Sequence, residues 1–183
     1  LNNKGDFMRK PARLLVILFC LVCMAVSAGC SPSLTQPVVN PVLTFEAKAD
    51  VSMGKSRYVC RLQYSAGQGA QLTLMEPQEL EGMTWAWDHK ILSVSYEGLT
   101  VSQDNMVLPQ TGMIPMMLAS LDAASVEGAL TTSGDGLFFG SGDGHNFTLT
   151  ADRRTGQIKQ LAVPEEDMLV LFEPITDSSE ESK

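Results

Sequence analysis

Thr44-Phe45-Glu46-Ala47-Lys48-Ala49-Asp50-Val51-Ser52-Met53 alternates without a break. Phe45, Ala47, Ala49, Val51 and Met53 fall on one face, and Thr44, Glu46, Lys48, Asp50 and Ser52 on the other. A sustained period of two is the mark of a β-strand with one dry and one wet side. The pattern then repeats. Gly54-Lys55 reads as a hairpin turn, after which Tyr58, Cys60, Leu62 and Tyr64 oppose Arg57, Arg61 and Gln63. Two neighbouring amphipathic strands joined by a tight turn predict an antiparallel sheet that buries one face only.

The chain downstream continues in the same manner. Ala66-Gly67-Gln68-Gly69 is the next turn, residues 71–75 form a third strand ended by Pro77, and Met83, Trp85 and Trp87 share one face of a fourth. Asp88-His89-Lys90 turns the chain into a fifth strand with Leu92, Val94 and Tyr96 on one side; Glu97-Gly98 interrupts it, and Leu99 and Val101 continue briefly. The period changes to about 3.6 only once, between Gly112 and Gly128, where Ile114, Met117, Leu118 and Leu121 recur at i, i+3, i+4 and i+7. One amphipathic helix is predicted there, with Pro115 tolerated in its first turn and Gly128 able to end it. Strand patterns resume over residues 129–132, 136–140, 146–151, 157–163 and 168–172. Ser133-Gly134-Asp135-Gly136, Ser141-Gly142-Asp143-Gly144 and Arg153-Arg154-Thr155-Gly156 supply the turns between them. The expected fold is mainly β (α+β): a curved antiparallel sheet, or half-open β-barrel, with one amphipathic helix packed on its concave face.

The amino-terminal stretch reads as an export signal. Met8-Arg9-Lys10 and Arg13 precede an apolar run over residues 14–26, and Val26-Ser27-Ala28-Gly29-Cys30 offers small residues directly before a cysteine. Such a cysteine takes a diacylglyceryl group on its thiol before cleavage, so residues 1–29 are expected to be a lipoprotein signal peptide and Cys30 the lipidation site. An uncleaved transmembrane anchor is the competing reading, but the run is shorter than the ~20 residues a span requires. Residues 30–41, rich in proline, serine and asparagine, read as a flexible tether. Residues 42–175 form the folded domain, and the acidic, serine-rich residues 176–183 a disordered tail. The expected location is the extracytoplasmic side of a bacterial membrane, and the expected state a monomer.

Charge and cysteine content narrow the function. Loss of residues 1–29 removes Lys4, Arg9, Lys10 and Arg13 but only Asp6 among acids, so the formal charge of -8 falls to -11. So acidic a surface argues against nucleic acid and anionic headgroups as partners. Of the four cysteines, Cys20 and Cys23 lie in the signal and Cys30 carries lipid, which leaves Cys60 alone in a strand pattern as a buried, inert thiol. His89 and His145 are the only histidines, each in a predicted turn, and the mature chain has neither a CxxC nor a GxSxG. Gly140-Ser141-Gly142-Asp143-Gly144 lacks the lysine and helix of a phosphate loop. The repeated Ser-Gly-Asp-Gly falls short of the six to eight oxygens calcium takes. Neither an enzyme nor a cofactor or metal is expected.

The order of pieces resembles the LolA/LolB-like lipoprotein-carrier superfamily. The resemblance is carried by the opening strands, by Leu72-Thr73-Leu74-Met75-Glu76-Pro77 running into Leu80-Glu81-Gly82-Met83-Thr84-Trp85, and by Asp152-Arg153-Arg154-Thr155-Gly156-Gln157-Ile158, which is similar to the family's aspartate-to-glycine turn. It implies a sheet whose concave face holds acyl chains or other apolar groups. Trp85 and Trp87, with Met83 on the same strand face, and Met116, Met117 and Leu121 on the helix, are the candidate apolar ligand-binding residues. Both sets also suit an ordinary core. The expected function is non-covalent binding of an apolar ligand by a membrane-anchored lipoprotein. The alternative is an accessory envelope or spore-associated lipoprotein that binds a protein partner, its barrel interior filled.

Overall fold

The computed structural model describes residues 39–104 and 112–175. The expected signal peptide, Cys30, most of the expected tether and the acidic tail lie outside the described residues. The elements in chain order are β1 (Thr44–Met53), β2 (Ser56–Ser65), β3 (Gly69–Glu76), β4 (Thr84–Trp87), β5 (Ile91–Tyr96), β6 (Leu99–Asp104), α1 (Met113–Ser125), β7 (Thr131–Gly134), β8 (Leu137–Gly142), β9 (His145–Ala151), β10 (Ile158–Val163) and β11 (Met168–Pro174). Among the described residues no helix is long and apolar enough to cross a membrane.

All eleven strands belong to one antiparallel sheet, ordered β6-β5-β4-β3-β2-β1-β11-β10-β9-β8-β7. It is therefore two meanders, β1 to β6 and β7 to β11, fused where β1 pairs with β11 from Ala47↔Pro174 to Met53↔Met168. The sheet is open, since β6 and β7 end it on either side. Helix α1 lies on the path between those two edges. The first strand, central in the sheet, is buried on its apolar face: Ala49 and Val51 are fully covered, while Glu46 and Lys48 on the other face bond Arg61 and Glu173.

Tight turns act as the sequence predicts, with one exception. Asp135-Gly136 and Asp143-Gly144 each place two consecutive residues at positive φ, as type I′ hairpins demand. Glu97-Gly98 does the same, with φ of 49° and 81°. Leu99 and Val101 thus do not extend the fifth strand; they belong to β6, which folds back on β5 in the register Tyr96↔Leu99 and Val94↔Val101. Ahead of β1, the Val39 and Val42 amides donate to the Arg153 and Gly156 carbonyls, so the chain enters the fold along the β9–β10 turn.

Helix α1 is more deeply set than an amphipathic surface helix. Every residue from Met113 to Leu118 is buried, and Ser120, Leu121 and Ala124 after them. Ser120 is satisfied by donating to the Met116 carbonyl at 2.9 Å, which lets a hydroxyl sit in the core. The helix ends at Ser125, a little before Gly128, which holds φ of 76° in the turn that follows.

Candidate functional site

Register shows how the apolar face changes along the sheet. Ala47, Leu62, Leu72, Trp85, Val94 and Val101 stand opposite one another in successive strands from β1 to β6. Leu62 and Leu72 are 0% and 1% exposed, Trp85 and Val94 are half-buried, and Val101 is 72% exposed. Leu99, on the same face of β6, is 76% exposed. A single hydrophobic row thus passes from sealed core to open surface. The β4–β6 wing is an apolar strip of Trp85, Val94, Tyr96, Leu99 and Val101.

The helix rests toward the opposite half of the sheet. α1 packs on β8 and touches β1. Gly142 of β8 makes the approach possible: a Cβ there would collide with the Ala123 methyl of the helix. Gly140, opposite Phe147 in β9, leaves room for the Phe147 ring in the same way. The helix is thereby seated over the β8 side of the sheet.

The predicted ligand-binding residues divide accordingly. Met116, Met117 and Leu121 sit inside the core cluster, Met117 and Leu121 with no exposure at all. Trp85 and Trp87 are half-buried and pack against the edge of that cluster. None of Met116, Met117 and Leu121 lines the open pocket of about 770 Å³ formed by described residues beside Phe45, Tyr64, Gln71 and Trp87. The structure therefore brings the tryptophans to a partly open surface and keeps the helical residues as packing. Val94, which the sequence does not single out as a site residue, pairs directly with Trp85, and Val101 and Leu99 lie one strand further on, opposite Val94 and Tyr96. The signal in the sequence is the alternation of Leu99 and Val101 directly after Glu97-Gly98.

Polar groups meet at one end of this surface. Tyr64 Oη donates to Asp122 Oδ1 of α1 at 2.8 Å, and His89 Nδ1 of the β4–β5 turn lies 3.7 Å from Asp122 Oδ2. The His89 ring in turn packs on Trp87, centroids 4.4 Å apart. Burial raises the Asp122 pKa above the ordinary carboxylate value, with the nearby Asp143 charge adding to it; the Tyr64 hydrogen bond and His89 oppose the rise. Asp122 thus ties helix, β2 and turn together at a desolvation cost.

That balance gives a testable pH dependence. Because the folded pKa of Asp122 is raised, its protonated form favours the folded state fully below the unfolded carboxylate value, and this advantage is lost as pH rises through the folded pKa. Tyr64→Phe removes a bond that holds the pKa down. It should cost ~1–3 kcal/mol at neutral pH and less in acid, where Asp122 is neutral. Urea unfolding of both proteins across that range checks it. A penalty independent of pH would show that the Tyr64 hydroxyl contributes the same whether or not Asp122 is charged.

Burial pushes the Cys60 thiol up to about 12, and the residue is fully covered, so it is held as an inert thiol. Asp152 opens the β9–β10 turn and is held well below the ordinary carboxylate range by Lys159 Nζ at 2.9 Å and by the Thr155 and Arg154 amides. Its role there is to shape a turn. Among the described residues no group of three or more His, Cys, Asp or Glu side chains could hold a metal ion.

No family model and no curated protein matches the sequence. Among solved structures the chain is similar to the crystal structure of a LolA superfamily protein from Nitrosomonas europaea, at 10% identity and a TM-score of 0.39, over 77% of this chain and 82% of that one.

Proposed function

We propose that this chain is an exported lipoprotein, anchored through Cys30, whose β4–β6 wing binds an apolar ligand such as an acyl chain without covalent chemistry. The observation that supports it is the row Leu72, Trp85, Val94, Val101, in which a packed hydrophobic face runs out into solvent. Contiguous exposed apolar surface on an otherwise acidic protein marks an interaction site. The ligand lies against the open strip rather than beneath the helix, because α1 residues already fill the face they cover. The tether over residues 31–41 would let the domain reach away from the membrane.

The full chain, held in amphipol, tests this reading with a fluorescent acyl probe. Leu99→Asp combined with Val101→Asp should weaken probe binding at least about tenfold. The thermal midpoint should stay unchanged, since exposed positions seldom alter stability by more than ~0.5 kcal/mol. Equal binding by variant and wild type overturns the placement. A wild-type protein that binds no acyl probe favours the second reading, for which β6 speaks: it is an edge strand beside the same apolar strip, a place where a partner protein can dock.

A further inference from the structure

The tryptophans of the wing carry an unmet chemical need. The chain has two, Trp85 and Trp87, and the Nε1–H of each is shut away from solvent with no acceptor among the described residues. Folded proteins leave few buried donors unpaired, and each such group calls for an explanation. Here two occur on the same face of one short strand, where the apolar row turns from packed to open. At positions i and i+2 their Cα atoms are ~7 Å apart, given a rise of about 3.3 Å per residue.

The surroundings determine which acceptor fits. An indole N–H is a neutral donor and cannot offset a full negative charge. Moving an unpaired carboxylate or phosphate onto an apolar surface costs far more than one hydrogen bond returns. Glu97 stands in the turn at one end of the wing. Glu79 belongs to the short turn whose carbonyl accepts the Tyr96 hydroxyl, with Glu81 next to it. His89 is already engaged beside Asp122. The protein as a whole carries a formal charge of -8. An uncharged carbonyl answers both needs: it accepts from the indole and brings no charge into an acidic, apolar setting.

We infer that the β4–β6 wing selects uncharged acyl lipids through their carbonyl groups, with the indole N–H groups of Trp85 and Trp87 as the donors. This rests on the wing being the apolar site, and adds the feature by which it tells an acyl ester or amide from a bare alkyl chain or a free fatty acid. The apolar strip of Val94, Leu99 and Val101 takes the chain, and ligand entry uncovers the indole N–H groups so that they meet the carbonyl.

The test uses the full chain in amphipol and the emission of its two tryptophans, quenched by brominated chains. Three probes share one brominated long hydrocarbon chain: the glycerol ester, the matching glycerol ether, and the free acid. The ester should quench at about tenfold lower concentration than the ether, the factor expected from one to two neutral hydrogen bonds. The free acid should be the weakest at neutral pH. The resonance Raman band that reports indole N–H bonding should shift on adding the ester and not the ether. Trp85→Phe and Trp87→Phe, which keep an aromatic ring, should each weaken ester binding more than ether binding and so cut the ester-over-ether preference. Equal quenching by ester and ether, preference for the free acid, or a preference unchanged in both variants overturns the carbonyl inference and leaves the apolar wing standing. No quenching by any of the three probes overturns both.

Discussion

Met117→Glu is expected to leave no cooperatively folded domain. Met117 has no exposed surface and lies in the core among Leu118, Leu121 and the sheet, where Ser120 is the buried polar residue among the described ones. A glutamate there is either ionised without a partner or neutralised at the cost of its pKa, a penalty of several kcal/mol. Domains of this size have ~5–15 kcal/mol in total. Near-ultraviolet circular dichroism and a thermal melt of the variant check it. Met117→Leu, nearly equal in volume, should lose less than ~1.5 kcal/mol, and Met117→Trp should lose ~1–3 kcal/mol by overpacking. A tryptophan accepted without loss would reveal space beneath the helix and return Met116, Met117 and Leu121 to the ligand site.

Gly142→Val should unseat the helix. No Cβ fits at Gly142 without moving the Ala123 methyl, and that methyl sits on a helix buried along most of its length. The expected loss is ~1–3 kcal/mol, the usual cost of forcing atoms into a packed interface. Because the conflict is with one methyl group, Ala123→Gly should restore part of the loss in the double variant, against its own helix penalty of ~1 kcal/mol. A double-mutant cycle by urea unfolding would read this as a positive coupling. Additive effects would mean that Gly142 is needed for its backbone and not for the helix contact.

Both predictions concern the helix, and both expose the limit of periodicity as a guide. Ile114, Met117, Leu118 and Leu121 identify a helix and the side it buries, and all four are buried as expected. Periodicity is silent on how much else is buried. Met113, Pro115 and Met116 are covered too, and the alternation that finds a dry strand face cannot say what covers it.

The local rules of the chain determined a good deal. Residues 44–53 form β1 to the residue, because alternation over that length suits no other conformation and Gly54 closes it. Asp-Gly pairs placed the carboxyl-terminal hairpins, because few residue pairs adopt positive φ twice in succession. The single change of period located the helix. The pairing of β1 with β11 was another matter, since it joins residues over a hundred positions apart and no turn connects them. Tertiary structure alone also separated Leu72 from Val101. Both are apolar residues on the same face of the sheet, in strands that obey the same alternation, yet one is 1% and the other 72% exposed. What differs is position in the sheet: Leu72 belongs to the core cluster shared with the helix, whereas Val101 stands on the edge strand outside it. A strand's sequence sets which side avoids water, whereas the packing around that side decides whether the avoidance is satisfied within the chain or left open to solvent.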